Sequence, residues 1–123
     1  MAKFNSFEEI LSWQKARALN KAICKITNDS ISFSKDFGLR DQIRRSSISI
    51  SSNIAEGFER ETTKEFIRFL YIAKASSGEL RSQIILAYDL EYINENDFKN
   101  LISNANEVSR LLSGLIKYLT STL

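Results

Sequence analysis

The feature that most constrains the fold is the absence of proline from a chain of 123 residues, together with the presence of only four glycines. Proline and glycine supply most of the tight turns that sandwiches, barrels and long ordered loops require. A chain without them favours long, uninterrupted helices joined by short polar connections. Because 43% of its residues are hydrophobic, one core can form without disulfides or metals.

Apolar residues recur at helical spacing in four segments, and they predict helices over about residues 7–27, 37–58, 63–91 and 95–120. Polar residues mark the helix starts: Ser6 with Glu9 and Thr62 with Glu65 form capping-box patterns, and Asp36 and Asn94 are expected N-caps. The apolar stripe of the first helix is predicted to centre near Leu11, Ala18 and Ala22. The stripe of the second helix is predicted to contain Leu39, Ile43, Ile50, Ile54 and Phe58.

The last two segments each carry a heptad seam of apolar and small residues. The seam of the third helix consists of Phe66, Leu70, Ala73, Ser77, Leu80, Ile84 and Ala87. That of the fourth helix consists of Phe98, Leu101, Ala105, Val108, Leu112, Leu115 and Leu119. Two matched seams and short connections predict an all-α, antiparallel up-down-up-down four-helix bundle, with neighbouring helices crossing at about 20°. We expect one domain over residues 1–123.

Several chemistries are excluded because the chain has no histidine. Catalytic triads, most zinc sites and the commonest general base near neutral pH depend on that side chain. Carboxylates cluster at Glu56, Glu59 and Glu61, but helix capping and solvated helix faces account for them. We therefore expect no enzyme, no catalytic residue, no metal site and no cofactor.

The single cysteine, Cys24, cannot form an intrachain disulfide, and its place on an apolar helix predicts a core or near-core residue. A lone thiol also favours a reducing compartment. No signal peptide is visible, and no apolar run approaches the length of a membrane span. The sequence thus predicts a cytoplasmic protein with no membrane partner.

Apolar residues in excess of one core predict a homo-oligomer. On the first helix Trp13, with Ala16 beside it, falls opposite the predicted stripe, and a tryptophan on a solvated face is typical of an interface. The alternative for Trp13 is a loop folded over it or a wider stripe. The other candidates for the oligomer interface lie off the stripes of the second and third helices: Ile48, Ala55, Ile67 and Tyr71.

Basic residues are concentrated in the first half of the chain, where residues 1–60 carry ten basic and seven acidic side chains. Those placed to contact the phosphates of RNA or DNA are Arg40, Arg44, Arg45, Lys64 and Arg68. Alternatively, Asp41 pairs with Arg45 and Glu56 with Arg60 at i,i+4, as on ordinary helix surfaces. In that case the chain is a scaffold that grips a partner protein without binding nucleic acid.

The end of the second predicted helix carries a candidate structural clasp, formed by Asn53, Glu56 and Gly57. We expect the two polar side chains to hydrogen-bond the following loop to the third helix, through Arg68. A structural role is favoured over a ligand site.

The order and spacing of these residues resemble a known family, over about residues 7–119. The landmarks are Phe7-Glu8-Glu9, Trp13-Gln14-Lys15-Ala16, Phe37-Gly38-Leu39, Gln42-Ile43-Arg44-Arg45, Ser52-Asn53-Ile54-Ala55-Glu56-Gly57 and Glu65-Phe66-Ile67-Arg68-Phe69-Leu70. They resemble the small four-helix-bundle proteins encoded within intervening sequences of large-subunit ribosomal RNA genes. The chain departs from that family at Ser32-Phe33-Ser34 and Ser49-Ile50-Ser51, where the family carries prolines.

The resemblance implies a four-helix bundle that assembles into a homopentamer. It also implies similarity to the accessory protein of diversity-generating retroelements, a pentameric basic barrel that binds a reverse transcriptase and nucleic acid. The family has no settled biochemical function, so the resemblance leaves RNA, DNA and a partner protein all open as ligands.

Overall fold

The computed structural model describes residues 4–123, and the regular structure of those residues is entirely helical. The predicted domain begins at residue 1, and residues 1–3 lie outside the described residues. The elements are a 3-10 turn Phe7–Glu9, then α1 Leu11–Asp29, α2 Ile31–Lys35, α3 Phe37–Phe58, α4 Thr63–Asp89 and α5 Glu95–Ser121. The predicted all-α class is confirmed, and the strand-like alternation Ser47-Ile48-Ser49-Ile50-Ser51 lies inside a helix.

The four long helices are antiparallel neighbours, in the order α1, α3, α4, α5 around the bundle. Hydrogen bonds show the pairing: α1 and α3 are joined by Asn20 and Ser47, and α3 and α4 by Ser46 and Glu79. The Ser77 hydroxyl of α4 donates to the backbone carbonyl of Ala105 in α5 at 3.4 Å. The short helix α2 bridges α1 and α3 at one end. The predicted up-down-up-down arrangement is therefore confirmed.

The two heptad seams form the centre of the core, as predicted. On α4 the buried residues include every predicted seam position from Leu70 to Ala87, with Phe66 packed against them. On α5 the seam is buried from Leu101 to Leu112, but farther along Ile116 is buried where Leu115 is only partly so. The stripe predicted for α3 also faces the core.

The stripe predicted for α1 is wrong. Its buried residues are Ser12, Ala16, Leu19, Ile23 and Thr27, whereas Leu11 is half exposed and Ala18 is exposed. Three of the buried residues are small or polar, and Thr27 satisfies its hydroxyl by donating to the Ile23 carbonyl at 2.8 Å. The stripe predicted from large apolar side chains alone therefore lies on a different side of α1 from the face that is buried. Ala16 is fully buried in the core of its own chain, so it has no surface to offer another copy.

Three of the four predicted helix caps are confirmed. The side chains of Asp36, Thr62 and Asn94 accept hydrogen bonds from the backbone amides of Leu39, Glu65 and Asp97. The cap predicted at Ser6 is wrong, because Ser6 makes no side-chain cap bond. The chain makes a 3-10 turn there, passes through an extended and buried Ile10, and begins α1 only at Leu11.

Two helices approach closely at Gly57, near the end of α3. A Cβ atom at this position would lie 2.6 Å from the Cβ of Phe69 and 3.1 Å from the ring of Phe66. The rings of Phe58 and Phe66 meet edge to face beside it, with centroids 6.0 Å apart. Only glycine leaves room for this contact, which sets the distance between α3 and α4 at this end.

At the opposite end a hydrogen-bonded latch joins α2, α3 and the turn between α4 and α5. The Tyr92 hydroxyl donates to Asp36 Oδ2 at 2.8 Å, and the Ser30 hydroxyl donates to the Tyr92 carbonyl at 2.9 Å. The hydrogen bonds from the Leu39 amide and from Tyr92 hold the pKa of Asp36 below its ordinary value of 3.8. The same bond raises the pKa of Tyr92.

Replacing Gly57 by alanine should destabilise the fold, because the added methyl group has no space between α3 and α4. We expect the free energy of unfolding in urea to fall by about 1–3 kcal/mol. Gly114→Ala is the matched control, since a Cβ at that helical position meets nothing within 4 Å. That control should gain about 0.5–1 kcal/mol from helix propensity. A Gly57→Ala variant as stable as the wild type would contradict the close contact.

The latch should make stability depend on acidity. A carboxyl group whose pKa is lower in the folded than in the unfolded state stabilises the fold at pH values above its unfolded-state pKa. That stabilisation is lost as the pH falls through the folded-state pKa. Stability measured by urea unfolding should therefore decline below about pH 4, and Tyr92→Phe should make that decline shallower. Tyr88→Phe, at a ring stacked on Phe98 with centroids 4.3 Å apart, is the control and should keep the wild-type slope. Equal slopes in all three proteins would show that the hydrogen bond from Tyr92 to Asp36 contributes nothing to the pH dependence.

Candidate nucleic-acid interface

Two adjacent arginines of α3, Arg44 and Arg45, belong to the predicted phosphate-binding set and lie side by side on the surface. Arg44 is held in place because its Nε donates to the Thr27 hydroxyl of α1 at 2.8 Å. Arg45 is exposed beside it. Together with Asp41, Ile48 and Ser49 they line a shallow depression of about 460 Å³. Neither arginine takes part in any ion pair among residues 4–123, so both guanidinium groups are available to a ligand.

Arg40, one turn earlier, is already occupied. Its Nε donates to Asp41 at 3.1 Å, its Nη1 donates to the Ser34 carbonyl at 3.1 Å, and its guanidinium lies 4.7 Å from the centroid of the Phe37 ring. The predicted pairing of Asp41 with Arg45 is therefore wrong, because Asp41 pairs with its neighbour Arg40. The other predicted pair, Glu56 with Arg60, is formed at 3.7 Å.

Lys64 and Arg68 do not join the arginines of α3 in a single patch. Because α3 and α4 are antiparallel, Arg68 lies beside Gly57, about 20 Å along the bundle from Arg44. Arg68 donates to Glu65 at 2.8 Å and lies over the ring of Phe69. Of this second group only Lys64 is exposed without an ion pair in the described residues.

The predicted clasp is formed by Gly57 alone. Asn53 donates to the Ser49 carbonyl at 2.7 Å, within its own helix, and Glu56 pairs with Arg60. The expected link through Arg68 is absent among residues 4–123, since Arg68 pairs with Glu65. The two polar side chains therefore serve the last turns of α3, and the tie to α4 is the helix contact at the glycine.

The face of α1 next to α3 adds two basic residues that the sequence analysis missed. The side-chain amide of Asn20 bridges the hydroxyls of Ser47 and Ser51 at 2.6 and 2.8 Å, which fixes this face against α3. Arg17 and Lys21 flank Asn20 and are exposed. Neither forms an ion pair within residues 4–123. Their spacing of four residues was visible in the sequence.

Trp13 sits at the end of this face and is partly buried. Its ring meets the ring of Phe7 at an angle of 63°, with centroids 5.1 Å apart, and Arg17 lies 5.7 Å from its centroid. The preceding segment therefore covers part of the tryptophan, in agreement with the alternative that the sequence left open.

The outward face of α4 carries four exposed apolar side chains. Ile85 and Leu86 occupy the same heptad positions as Tyr71 and Ile72, two heptads farther along α4. These four residues are between 39% and 58% exposed. The residues between them on this face are small: Ala75, Gly78 and Ser82. Of the other predicted interface residues, Ile48 is about half exposed, while Ile67 and Ala55 are partly buried.

Among residues 4–123, no group of three or more histidine, cysteine, aspartate or glutamate side chains is placed to hold a metal ion. The prediction that Cys24 is a core or near-core residue is wrong, since it is exposed on α1. None of the helices described has the length and apolar character that crossing a membrane requires.

The structure thus defines a four-helix bundle with a basic face and an apolar face. The chain matches the family model described as 23S rRNA-intervening sequence protein over residues 8–114, and it belongs to that family. The resemblance read from the sequence is confirmed. None of the curated proteins matches the chain.

Among solved structures, the fold is similar to that of a protein of unknown function from the S23 ribosomal protein family of Bacteroides thetaiotaomicron. The two share 26% sequence identity with a TM-score of 0.81, over 87% of this chain and 99% of the other. Neither the family description nor that of the solved structure states a biochemical activity.

Proposed function

We propose that this protein is a non-enzymatic, oligomeric binding module that contacts nucleic acid through the arginines of α3. The observation that carries the proposal is the pair Arg44 and Arg45, which lie side by side and form no ion pair within residues 4–123. A guanidinium already held by Thr27 loses less conformational entropy when it binds a phosphate. Arg17 and Lys21 extend the positively charged surface of Arg44 and Arg45 across α1.

The expected energetics follow from counterion release. Each phosphate that a basic side chain neutralises releases bound cations, and affinity therefore falls steeply with salt. A single chain offers few such contacts on this face. Repetition of the face in a symmetric assembly would multiply them, because each copy presents the same arginines. The proposal therefore joins phosphate binding to oligomerisation.

The proposed interface between copies is the apolar outward face of α4. Exposed apolar side chains grouped on one helix face are typical of an interaction site in soluble proteins. Ala75, Gly78 and Ser82 let a second helix approach closely, while Ile72, Ile85 and Leu86 supply the area to be buried. Tyr71 borders the depression between α4 and α5 at the edge of this face and is left outside the proposed interface. The number of subunits, five, is proposed from the family resemblance alone.

The same apolar face supports a second candidate function, a scaffold for a partner protein. In this alternative the side chains of α4 grip the partner and the arginines only interact with solvent. A non-enzymatic role is proposed for both candidates because the chain lacks histidine and Cys24 stands alone. A reducing compartment such as the cytoplasm suits an exposed, single thiol.

Nucleic-acid binding is tested with the double variant Arg44→Gln, Arg45→Gln. We expect the wild type to bind labelled duplex RNA or DNA with an affinity that falls with salt, and the variant to bind at least tenfold more weakly. The slope of log affinity against log salt should become shallower by about 1–2, because each lost phosphate contact removes about 0.9. The control Lys25→Gln, Lys99→Gln removes two charges that are already paired. Equal losses in both double variants would point to net charge alone, and no binding at low salt would favour the scaffold.

Oligomerisation is tested with Ile72→Asp, Leu86→Asp, which places two charges on the apolar face of α4. We expect light scattering to show the wild type as an oligomer and this variant as a monomer with unchanged helix content. Ile31→Asp is the control, because Ile31 is 73% exposed on α2, away from this face. A monomeric wild type, or a variant of wild-type mass, would contradict the assignment.

A further inference from the structure

A groove between α4 and α5 carries four basic side chains that take part in none of the six ion pairs formed among residues 4–123. Lys74 and Arg81 lie on α4, and Arg110 and Lys117 lie on α5. Each pair is separated by seven residues, which places both of its members on one side of their helix. This groove is on the opposite side of the bundle from the junction of α1 and α3.

Contacts between the two helices fix both ends of the groove. At one end Arg81 Nη1 donates to Asn106 Oδ1 at 3.1 Å, and Arg81 Nε donates to the Ser77 carbonyl at 3.4 Å. At the other end a depression of about 380 Å³ is lined by Tyr71, Lys74, Ser113, Ile116 and Lys117. From Tyr71 to Arg81 the groove is about 15 Å long.

The groove contains no acidic side chain. Between Tyr71 and Arg81 the only carboxylate on α4 is Glu79, and between Asn106 and Lys117 the only one on α5 is Glu107. Glu79 accepts a hydrogen bond from Ser46 of α3 at 2.7 Å, so it is turned away from the groove. Glu107 pairs with Lys15 of α1 at 3.7 Å, on the other side of α5. Four positive charges therefore remain with no negative charge between them.

The positive electrostatic field of these four side chains favours a polyanionic ligand, and Tyr71 indicates the class of polyanion. Its ring is 58% exposed and borders the same depression as Lys74 and Lys117. An aromatic ring flanked by cations is the arrangement that binds unpaired bases, which stack on the ring while phosphates meet the cations. Bases in a duplex are stacked on each other and are not available to such a ring. An acidic peptide would use the cations but has no need of the ring.

We propose that the groove between α4 and α5 binds a short single-stranded segment of nucleic acid. In this site Tyr71 stacks on one base, and Lys74, Arg81, Arg110 and Lys117 contact the phosphates. The site is separate from Arg44 and Arg45, so it does not depend on the function proposed for those residues.

The test is fluorescence anisotropy of labelled oligo(U) and oligo(dT), ten nucleotides long, across a salt series. Lys74→Gln, Lys117→Gln should weaken binding at least tenfold and make the salt slope shallower by about 1–1.5, at about 0.7 for each single-strand contact. Tyr71→Leu should weaken binding about five- to hundredfold, the loss expected for one stacked base, with the salt slope unchanged. Tyr71→Trp keeps a stacking ring and should bind like the wild type. Comparing oligo(U) with oligo(dT) shows whether the site distinguishes RNA from DNA.

The controls separate this site from the arginines of α3. Lys25→Gln, Lys99→Gln should bind oligo(U) like the wild type, since both lysines are paired elsewhere. Arg44→Gln, Arg45→Gln should retain most of the oligo(U) binding even if its duplex binding is lost. Light scattering confirms that each variant has the wild-type mass.

Three results would overturn the proposal. The first is an affinity of Lys74→Gln, Lys117→Gln for oligo(U) equal to that of the lysine control. The second is a Tyr71→Leu variant that binds as well as the wild type. The third is competition by polyglutamate as effective as competition by unlabelled oligo(U), which would assign the groove to an acidic protein segment.

Discussion

The contact between α3 and α4 at Gly57 is the constraint on which the other surfaces depend. Gly57 contributes no side chain to the contact, and even a methyl group there would fall 2.6 Å from the Cβ of Phe69. Farther along, the hydroxyls of Ser49 and Ser76 meet at 3.0 Å, so small side chains keep the helices close for several turns. A close contact tolerates little sliding or rotation. It therefore determines which residues of α3 and α4 face inward and which remain on the outside.

One consequence is the division of the basic residues. The register set by Gly57 places Arg68 and Lys64 at one end of the bundle and Arg44 and Arg45 toward the other. Ion pairs at exposed positions contribute little to stability. Their larger effect here is to neutralise some cations locally and to leave others free. Among residues 4–123, the basic side chains without an ion pair form two groups, at the junction of α1 and α3 and in the groove between α4 and α5, besides Lys35 and Lys64.

The sequence predicted the parts of the fold that depend on large apolar side chains. The seams of α4 and α5 were identified almost residue for residue, because heptad spacing leaves one choice of face. For α1 the same reasoning failed, because Ser12, Ala16 and Thr27 are buried and Leu11 is not. Small and polar residues are buried where a neighbouring helix comes close, and that distance is a property of the pair of helices. Ala16 was consequently assigned to an interface that it cannot reach.

The candidate sites show the same limit. In the sequence, the excess of basic over acidic residues lies in the first half of the chain. The groove with four basic side chains and no carboxylate between them is nevertheless formed by the second half. That arrangement is visible only when Glu79 and Glu107 are seen to turn toward α3 and α1. Likewise, the pairing of Asp41 with Arg40 depends on side-chain directions that spacing does not specify.

The sequence by itself determined the class of fold, the four long helices, two of the core seams and the membership of a family. It did so because proline-free, periodic apolar patterns act locally, within one helix and along its length. The tertiary structure alone decided which helices are neighbours, which face of α1 is buried, and which cations are left without a carboxylate. These properties arise from contacts between helices, where a single glycine or serine decides how closely two surfaces approach and hence what remains exposed.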